Sequence, residues 1–410
     1  MTAAAIKKGL LGLVLLGLAA ILLGALALRV MGEEPGTNSY ALLADAFLHG
    51  RFWVERCFDD DCALFAGKTY VIFPPVPALV AMPFVAIWGA DFAHFMVISV
   101  ALFALTGLLW WQIFQRIGCD QALATLLVVA LLFSTPVHFA ALRADGIWFF
   151  AQIVAIALVT LAIWSAFVLH SPLAVGLFIG LAFLTRQMSI LYMPFFFVLM
   201  TPSDRSIFRI DREALARFLK LAIFPAIAIG IYFLYNYARF GDVMQTGYAY
   251  IFPAELADPK TDNFIEYRVR ELGLFSKDYL LYNLLYFFVQ GPHVEFAGKY
   301  LTELKSLDAG GIAVFIGAPF LLFYLLARWD RNFFFATVTI LVIAGVTMFY
   351  HSNGFAQYTI QRYILDWLPL AMLFVAIGVK PENKGILGLL VAHGMVLMIA
   401  MQGVAFLVNK

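Results

Sequence analysis

The sequence predicts an all-α polytopic membrane protein, and three observations carry that expectation. Hydrophobic residues make up 63% of the 410-residue chain and charged residues 13%, with a mean hydropathy of +0.89. Soluble domains average roughly 45–50% apolar and about 25% charged residues. Apolar runs long enough to approach the about 20 residues of a membrane helix recur along the whole chain. Basic residues gather in alternate connecting segments, as the positive-inside rule expects. The same composition excludes disorder. A net charge of +1 supplies no basic field for nucleic acid, and three cysteines exclude a disulfide-dense scaffold.

Residues 9–30 form the first run, preceded by Lys7 and Lys8. Ala25-Leu26-Ala27 is similar to a signal-peptide cleavage box, but the run is long for a signal and more spans follow, so it reads as an uncleaved anchor. Further runs lie at 93–115, 121–140, 147–169, 217–237, 309–327, 331–350, 363–379 and 385–407. The run 172–200 would be about 43 Å long as one helix, too long for an untilted crossing. Arg186 and Gln187 stand in its middle, where a charge facing lipid is costly. The segment carrying Arg205, Arg209, Arg212, Arg217 and Lys220 should be cytoplasmic, like Lys7 and Lys8. The run 172–200 therefore crosses twice or not at all, and it reads as a hairpin of two short helices with Arg186 at the tip, facing an outer-side cavity.

The expectation is about eleven membrane helices in a single membrane domain, 1–410, with the N-terminus inside. Arg116, Arg328 and Arg331, and Lys380 and Lys384 then fall in short inner loops beside the inner loop 201–216. Two long segments face outward, 31–92 and 238–308. The first holds a helix-like stretch at 38–49 and an apolar one at 76–89, which is too short to span, carries Pro77 and Pro83, and is laid along the interface. In the second, Tyr279, Tyr282, Tyr286, Phe287 and Phe288 suggest another juxtamembrane helix at headgroup level. Of the 26 carboxylates, only Asp120, Asp204, Asp211, Glu213, Asp330 and Glu382 fall inside, so polar chemistry concentrates on the outer face.

The first outer loop opens with Glu33-Glu34-Pro35-Gly36-Thr37-Asn38-Ser39-Tyr40. Adjacent carboxylates at a membrane boundary act as a general base, coordinate a divalent cation, or are simply solvated loop acids. Later come Cys57-Phe58-Asp59-Asp60-Asp61-Cys62, Gly67-Lys68-Thr69-Tyr70 and Pro74-Pro75. Three consecutive acids are usually a solvated turn. The two cysteines either stay free or, on an oxidising side, close a small disulfide loop that fixes those carboxylates, while Cys119 inside stays reduced. Arg143, Arg186 and Arg362 each lie at the outer end of an apolar segment, where a guanidinium can snorkel, pair with an acid such as Asp145 or Asp366, or clamp a lipid phosphate. His49, His94, His138, His293 and His351 show no helical i,i+4 pair, so no zinc site is expected. Neither a Gly-x-Ser-x-Gly elbow nor a Walker loop occurs, and nothing indicates ATP use.

The order of these parts resembles the GT-C class of integral-membrane glycosyltransferases. The resemblance rests on a first span, an acidic outer loop, and Gly67-Lys68-Thr69-Tyr70 leading through Pro74-Pro75 into an interfacial apolar helix. Gly180-Leu181-Ala182-Phe183-Leu184-Thr185-Arg186 is similar to the short-helix turn of that class. Tyr235-Asn236-Tyr237-Ala238-Arg239-Phe240-Gly241, Thr246-Gly247-Tyr248 and Gln361-Arg362-Tyr363 resemble outer-loop motifs of its bacterial branches.

The resemblance implies transfer of a sugar from a polyprenyl-phosphate donor to a lipid-linked or surface glycan, on the outer face of the cytoplasmic membrane. A carboxylate takes the acceptor proton, and the displacement inverts the anomeric centre. Asp61, or else Glu33 or Glu34, is the implied base. Arg186 and Arg362 would meet the phosphate, with Arg143 and Lys68 also among the substrate-binding residues and Tyr40, Tyr70 and Tyr248 lining the sugar site. The resemblance assigns no cofactor and no metal ligand, and it is compatible with either a divalent cation or a metal-independent reaction. The competing expectation is a transporter or flippase for a lipid-linked or anionic substrate.

Overall fold

Backbone polar groups in hydrocarbon must be satisfied within the protein, which makes the helix the spanning element of an open chain. The computed structural model describes residues 3–59, 61–209, 211–251, 264–353 and 357–408; Asp60, of the acidic triplet, lies outside them. The chain begins with helices α1 (Ala3–Met31) and α2 (Ser39–Leu48), followed by strands β1 (Cys62–Phe65) and β2 (Lys68–Val71). Helices α3 (Val76–Trp88), α4 (Phe95–Arg116), α5 (Gln121–Phe133), α6 (Pro136–Leu142), α7 (Ile147–Trp164), α8 (Pro172–Phe183), α9 (Met193–Leu199) and α10 (Arg212–Phe240) come next. The remainder comprises α11 (Phe264–Leu272), α12 (Leu280–Phe288), strands β3 (Val294–Ala297) and β4 (Glu303–Leu307), α13 (Val314–Gly317), α14 (Arg331–Met348), α15 (Leu368–Gly378) and α16 (Lys384–Val408).

Among the described residues, six helices are long and apolar enough to cross a bilayer: α1, α4, α7 with its π-helical extension to Leu169, α10, α14 and α16 with the turn before it. A seventh exists if α5 and α6, bent by 53° at their break, count as one. Long helices thus account for six or seven of the expected crossings. The other apolar runs fold in pieces. The run 172–200 becomes α8, a 3₁₀ segment Gln187–Tyr192 and α9, with Arg186 extended (φ −145°, ψ 115°) at the break. The run 309–327 becomes α13 and a 3₁₀ segment Pro319–Leu326, and 363–379 becomes a 3₁₀ turn Arg362–Asp366 followed by α15. Prolines near the starts of several of these pieces (Pro194, Pro319, Pro369) supply no N–H to an upstream turn, so each piece starts afresh.

The two hairpins were not expected from the sequence. In the first, Phe65 pairs with Lys68, so Ala66-Gly67 is a two-residue turn, and both residues have positive φ (49° and 72°). That is the geometry of a type I′ turn, which matches strand twist. Gly67-Lys68-Thr69-Tyr70 is therefore a turn and a strand, its glycine required by backbone conformation.

The chain divides into two compact units, Met1–Leu28 with Trp110–Phe139 and Ser276–Lys410, and Arg29–Leu109 with Ala140–Phe275. In the first unit, Asn283 of α12 donates to the carbonyls of Met348 (2.7 Å) and Tyr350 (3.0 Å) at the end of α14. The buried His138 imidazole binds the Leu22 carbonyl at 3.0 Å. Lys384 pairs with Asp120, the N-cap of α5.

In the second unit, the close packing of α8 on α10 is decisive. A Cβ built on Gly176 would lie 2.3 Å from the Leu221 carbonyl oxygen, and one on Gly180 would lie 2.9 Å from that of Phe224. Pro225 cannot donate to Leu221 four residues earlier, so that carbonyl lacks its helical partner; the bare face of Gly176 covers it. This is a small-xxx-small contact of the kind that lets membrane helices touch by their backbones. Gly176→Ala should lower the thermal midpoint of the detergent-solubilised protein, in line with the about 1–3 kcal/mol of overpacking. Gly230→Ala on α10, where a Cβ meets nothing within 4 Å, should not lower it, since alanine is the better helix former.

Candidate functional site

The second unit gathers most of the residues singled out in the sequence. Asn38, 1% exposed, caps α2: its Oδ1 accepts the Tyr40 N–H (3.0 Å), and its Nδ2 donates to the Ala144 carbonyl (3.1 Å). Ser39 Oγ accepts the Phe58 N–H at 3.1 Å. One helix start therefore holds both Tyr40 and the chain entering the acidic segment. Cys57 and Cys62 are joined in a disulfide. Inside the loop it closes, Asp59 Oδ1 accepts the Asp61 N–H (3.1 Å), and Asp61 Oδ2 accepts the indole N–H of Trp148. Asp59 and Asp61, both half-buried, are thus braced by hydrogen bonds.

Tyr40 lies in the first turn of α2. Its ring is wholly buried, packed near Phe73 and Phe150 at 6.3 and 6.1 Å. Its hydroxyl has no hydrogen-bond partner among the described residues. Burial raises the phenol well above its ordinary pKa, with Tyr235 and Asp59 adding to the rise and Arg186 opposing it. The charges of Arg186 and Asp59 are thus both felt at one buried hydroxyl, which stays protonated and able to donate. Arg186 is presented by the break after α8. There, the Val76 N–H at the start of α3 donates to the Leu184 carbonyl (3.1 Å), and Gln187 Nε2 donates to the Tyr232 hydroxyl of α10 (3.0 Å). Pro74-Pro75 thus delivers the start of α3 to the residue pair before Arg186.

The other candidates fall in different surroundings. Both Glu33 oxygens accept N–H groups at the start of α4, from Phe95 (2.8 Å) and Met96 (3.0 Å). Burial pushes this carboxyl up to about 7, outweighing the two N–H bonds that lower it; Asp145 raises it further and Arg29 lowers it. Glu34 is exposed. Arg143 pairs with Asp145 at 3.8 Å, and Arg29 reaches the same carboxylate at 2.5 Å. Lys68 is exposed, with its ammonium 5.3 Å from the Trp53 ring. Tyr70 belongs to a small core with Ala63, Ile72 and Phe240, and Tyr248 packs against that core. Arg362 is buried in the other compact unit, over the Tyr363 ring at 5.5 Å.

Sequence reasoning missed Trp148, and it named Tyr235 and Arg239 within a motif without assigning their roles. Arg239, 3% exposed, donates through Nη1 to the Val71 carbonyl (2.9 Å) and through Nη2 to Asn236 Oδ1 (2.9 Å). Its guanidinium lies 3.8 Å from the Tyr235 ring centroid. It clamps β2 to the end of α10, and a Tyr-Asn-x-x-Arg spacing within a span was the available signal. Tyr235, also buried, has a hydroxyl without a partner among the described residues. Trp148 left no signal beyond an aromatic near the start of an apolar run.

Cys57, Asp59 and Cys62 lie close together, but the disulfide leaves no thiolate to bind a metal. The hard oxygens of Asp59 and Asp61 are the donors that suit a magnesium- or manganese-type ion.

No protein-family model matches the sequence, and no curated protein does. Among solved structures, the chain is similar to ArnT from Cupriavidus metallidurans bound to undecaprenyl phosphate, at 14% identity and a TM-score of 0.49, covering 91% of this chain and 61% of that one. It is also similar to the apo oligosaccharyltransferase of Archaeoglobus fulgidus, at 14% identity and a TM-score of 0.49, over 97% of this chain and 56% of that one. The chain spans less than two thirds of the length of these proteins.

Without reductant, thiol labelling should modify only Cys119, and slowly, because burial pushes that thiol up to about 11; reduction should expose Cys57 and Cys62. Stability should also report Glu33. Between its ordinary value of 4.5 and about 7, the folded chain holds a proton that the unfolded chain has released. The stability from that proton is complete below 4.5 and is lost as pH rises through 7, at about 1.4 kcal/mol per unit. Glu33→Gln should flatten the fall in thermal midpoint across this window in a pH series.

Proposed function

We propose that the chain is a membrane glycosyltransferase that moves a sugar from a polyprenyl-phosphate carrier to a glycan acceptor at the outer surface of the cytoplasmic membrane. The observation that carries this reading is a braced carboxylate pair in the same compact unit as Arg186 and the buried Tyr40 phenol, whose acidity both Arg186 and Asp59 influence. In the proposed reaction Asp61 accepts the proton of the acceptor hydroxyl as its oxygen attacks the anomeric carbon. The bond from that carbon to the phosphate oxygen breaks, and its electron pair leaves on the polyprenyl phosphate. The anomeric centre is inverted by this single displacement. Arg186 neutralises the charge gained by the phosphate, and the Tyr40 hydroxyl donates to one of its oxygens. A divalent cation held by Asp59 and Asp61 would supply further neutralisation of that charge.

Glu33 suits this role less well, because both its oxygens are engaged by the start of α4. Tyr70 and Tyr248 are assigned to packing and Tyr40 to the substrate. The assignment of Arg362 to the phosphate rests on the sequence resemblance alone. The outer-face location is supported by the disulfide, which persists in an oxidising compartment, and by α10. That helix of 29 residues has Arg212 at one end and the Tyr235–Arg239 cluster at the other, a separation of about 40 Å at 1.5 Å per residue. The basic end matches the cytoplasmic side.

Incubating the purified protein with a panel of polyprenyl-phosphate sugars, and following release of the free carrier, tests the reading. Consumption of one donor is expected; lipid movement across the bilayer without consumption would make the chain a flippase. Asp61→Asn should slow turnover by at least about 10²-fold, and Arg186→Ala should abolish it in protein that still folds. Tyr40→Phe should weaken donor binding about 10-fold or more, as loss of a hydrogen bond to a charged group does. Its thermal stability without donor should not fall, since the hydroxyl has no partner to lose.

A further inference from the structure

The disulfide between Cys57 and Cys62 gathers three metal-ligating side chains in one place. Ligand atoms of Cys57, Asp59 and Cys62 all lie within 4.8 Å of one another, and Cys57 Sγ stands 3.8 Å from Asp59 Oδ1. Tetrahedral zinc, with Zn–S about 2.3 Å and Zn–O about 2.1 Å, sets its sulfur and oxygen ligands roughly 3.6 Å apart. The sulfur–carboxylate spacing of the loop is already close to that value. Two opened sulfurs must part to roughly 3.8 Å for the same geometry. The two Cα atoms, 6.2 Å apart, stand toward the long end of what a disulfide bridges, which leaves room for that movement.

Both ends of the loop are anchored independently of the bridge. Cys62 opens β1 and pairs with Val71 of β2. On the other side, the Phe58 N–H donates to Ser39 Oγ at 3.1 Å, with Ser39 fully buried at the start of α2, and Arg56 pairs with Asp91. A bridge between residues five apart restricts the unfolded chain less than one closing a long loop, so its effect is mainly local. The thiols therefore stay near each other when the bridge opens. Both cysteines are half-buried, which leaves the bridge within reach of a small thiol. Ser39 Oγ lies 3.7 Å from Cys57 Sγ, a hydroxyl beside the fourth position of a tetrahedron.

We propose that this loop has two mutually exclusive closed forms: the disulfide, and a zinc-class site in which the thiolates of Cys57 and Cys62 and the carboxylate of Asp59 bind the ion. Water or the Ser39 hydroxyl completes the tetrahedron. Sulfur ligands favour a zinc- or cadmium-type ion over magnesium. Opening the bridge takes two electrons and two protons from a dithiol reductant, which itself leaves as a disulfide. The ion then displaces both thiol protons into water. Asp59 Oδ1 accepts the Asp61 N–H at 3.1 Å in the disulfide form, so capture of Asp59 by the ion draws away one of the groups that hold Asp61. The binding itself does not depend on the transferase reading.

The test uses the full-length chain carrying Cys119→Ser, which leaves the loop cysteines as the only two. Detergent-solubilised samples, one oxidised and one reduced with dithiothreitol that is then removed without air, are titrated with cadmium and with zinc. The reduced protein is expected to take up one equivalent of cadmium, read from the ultraviolet sulfur-to-cadmium charge-transfer band, and zinc to displace it. The oxidised protein should show no band. Asp59→Asn should weaken cadmium binding by at least the roughly 10-fold that loss of a group supporting a metal ligand costs. Zinc should also raise the thermal midpoint of the reduced protein and leave that of the oxidised protein unchanged, a result that capture of the ion by unfolded thiols does not give. Four results each overturn the proposal: no band after reduction, equal uptake by the oxidised and reduced samples, Asp59→Asn binding cadmium as tightly as its parent, or a reduced-protein midpoint that zinc fails to raise. None of them bears on donor consumption, so the transferase reading stands or falls separately.

Discussion

The backbone contact between α8 and α10 is the constraint from which the second unit follows. Gly176 and Gly180 let α8 lie on the carbonyls of Leu221 and Phe224. At its end, Phe183 packs edge-on to Tyr232 (5.6 Å) and Gln187 binds the Tyr232 hydroxyl. The Thr185–Arg186 break is thereby held against protein rather than lipid, the condition under which irregular backbone is tolerated at membrane depth. Continuing along α10, Tyr235 contributes to the surroundings of Tyr40, while Arg239 grips the carbonyl of β2. One helix thus sets the position of the arginine, the phenol and the hairpin.

Hydrogen bonds brace the carboxylates of this region. Asp61 is held by an indole N–H and by the carboxylate of Asp59, which receives its backbone N–H. A disulfide closes the loop around them. Carboxylates oriented in this way need little reorganisation when a proton or a positive charge arrives, which is the basis of electrostatic preorganisation. Glu33 shows the opposite use of an acid. It satisfies two of the free N–H groups at a helix start, and its proton affinity is raised by the burial that this capping demands. Two carboxylates about thirty residues apart in the same loop are therefore held in different ways.

Several expectations were correct about residues and incomplete about form. The short apolar stretch 76–89 is helix α3, and the long run 172–200 breaks at Arg186. The stretch 38–49 is helix α2, although most of it is buried rather than polar-faced. About eleven crossings were expected, yet only six or seven segments are long continuous helices, because hydropathy reports that a segment is apolar and not whether its helix is unbroken. The two hairpins escaped notice because four-residue strands are too short for period-two alternation to register. Tyr70 and Tyr248 attracted attention as polar aromatics beside a motif, and the fold uses their rings to fill a small core.

The amino-acid sequence by itself determined the class of molecule, the rough position of its apolar segments, and the residue types gathered in the first loop. These are properties of composition and local spacing: the free energy of moving side chains out of water is nearly additive along a chain. Tertiary structure alone decided that Asp61 meets Trp148, that the charges of Arg186 and Asp59 both reach Tyr40, that Glu33 caps α4, and that Arg239 holds β2 to α10. Each of these joins residues distant in sequence, and each depends on how closely two backbones can approach. That distance is set by packing between helices: a pair such as Gly176 and Gly180 permits a close approach, but only the fold brings the Leu221 and Phe224 carbonyls to it.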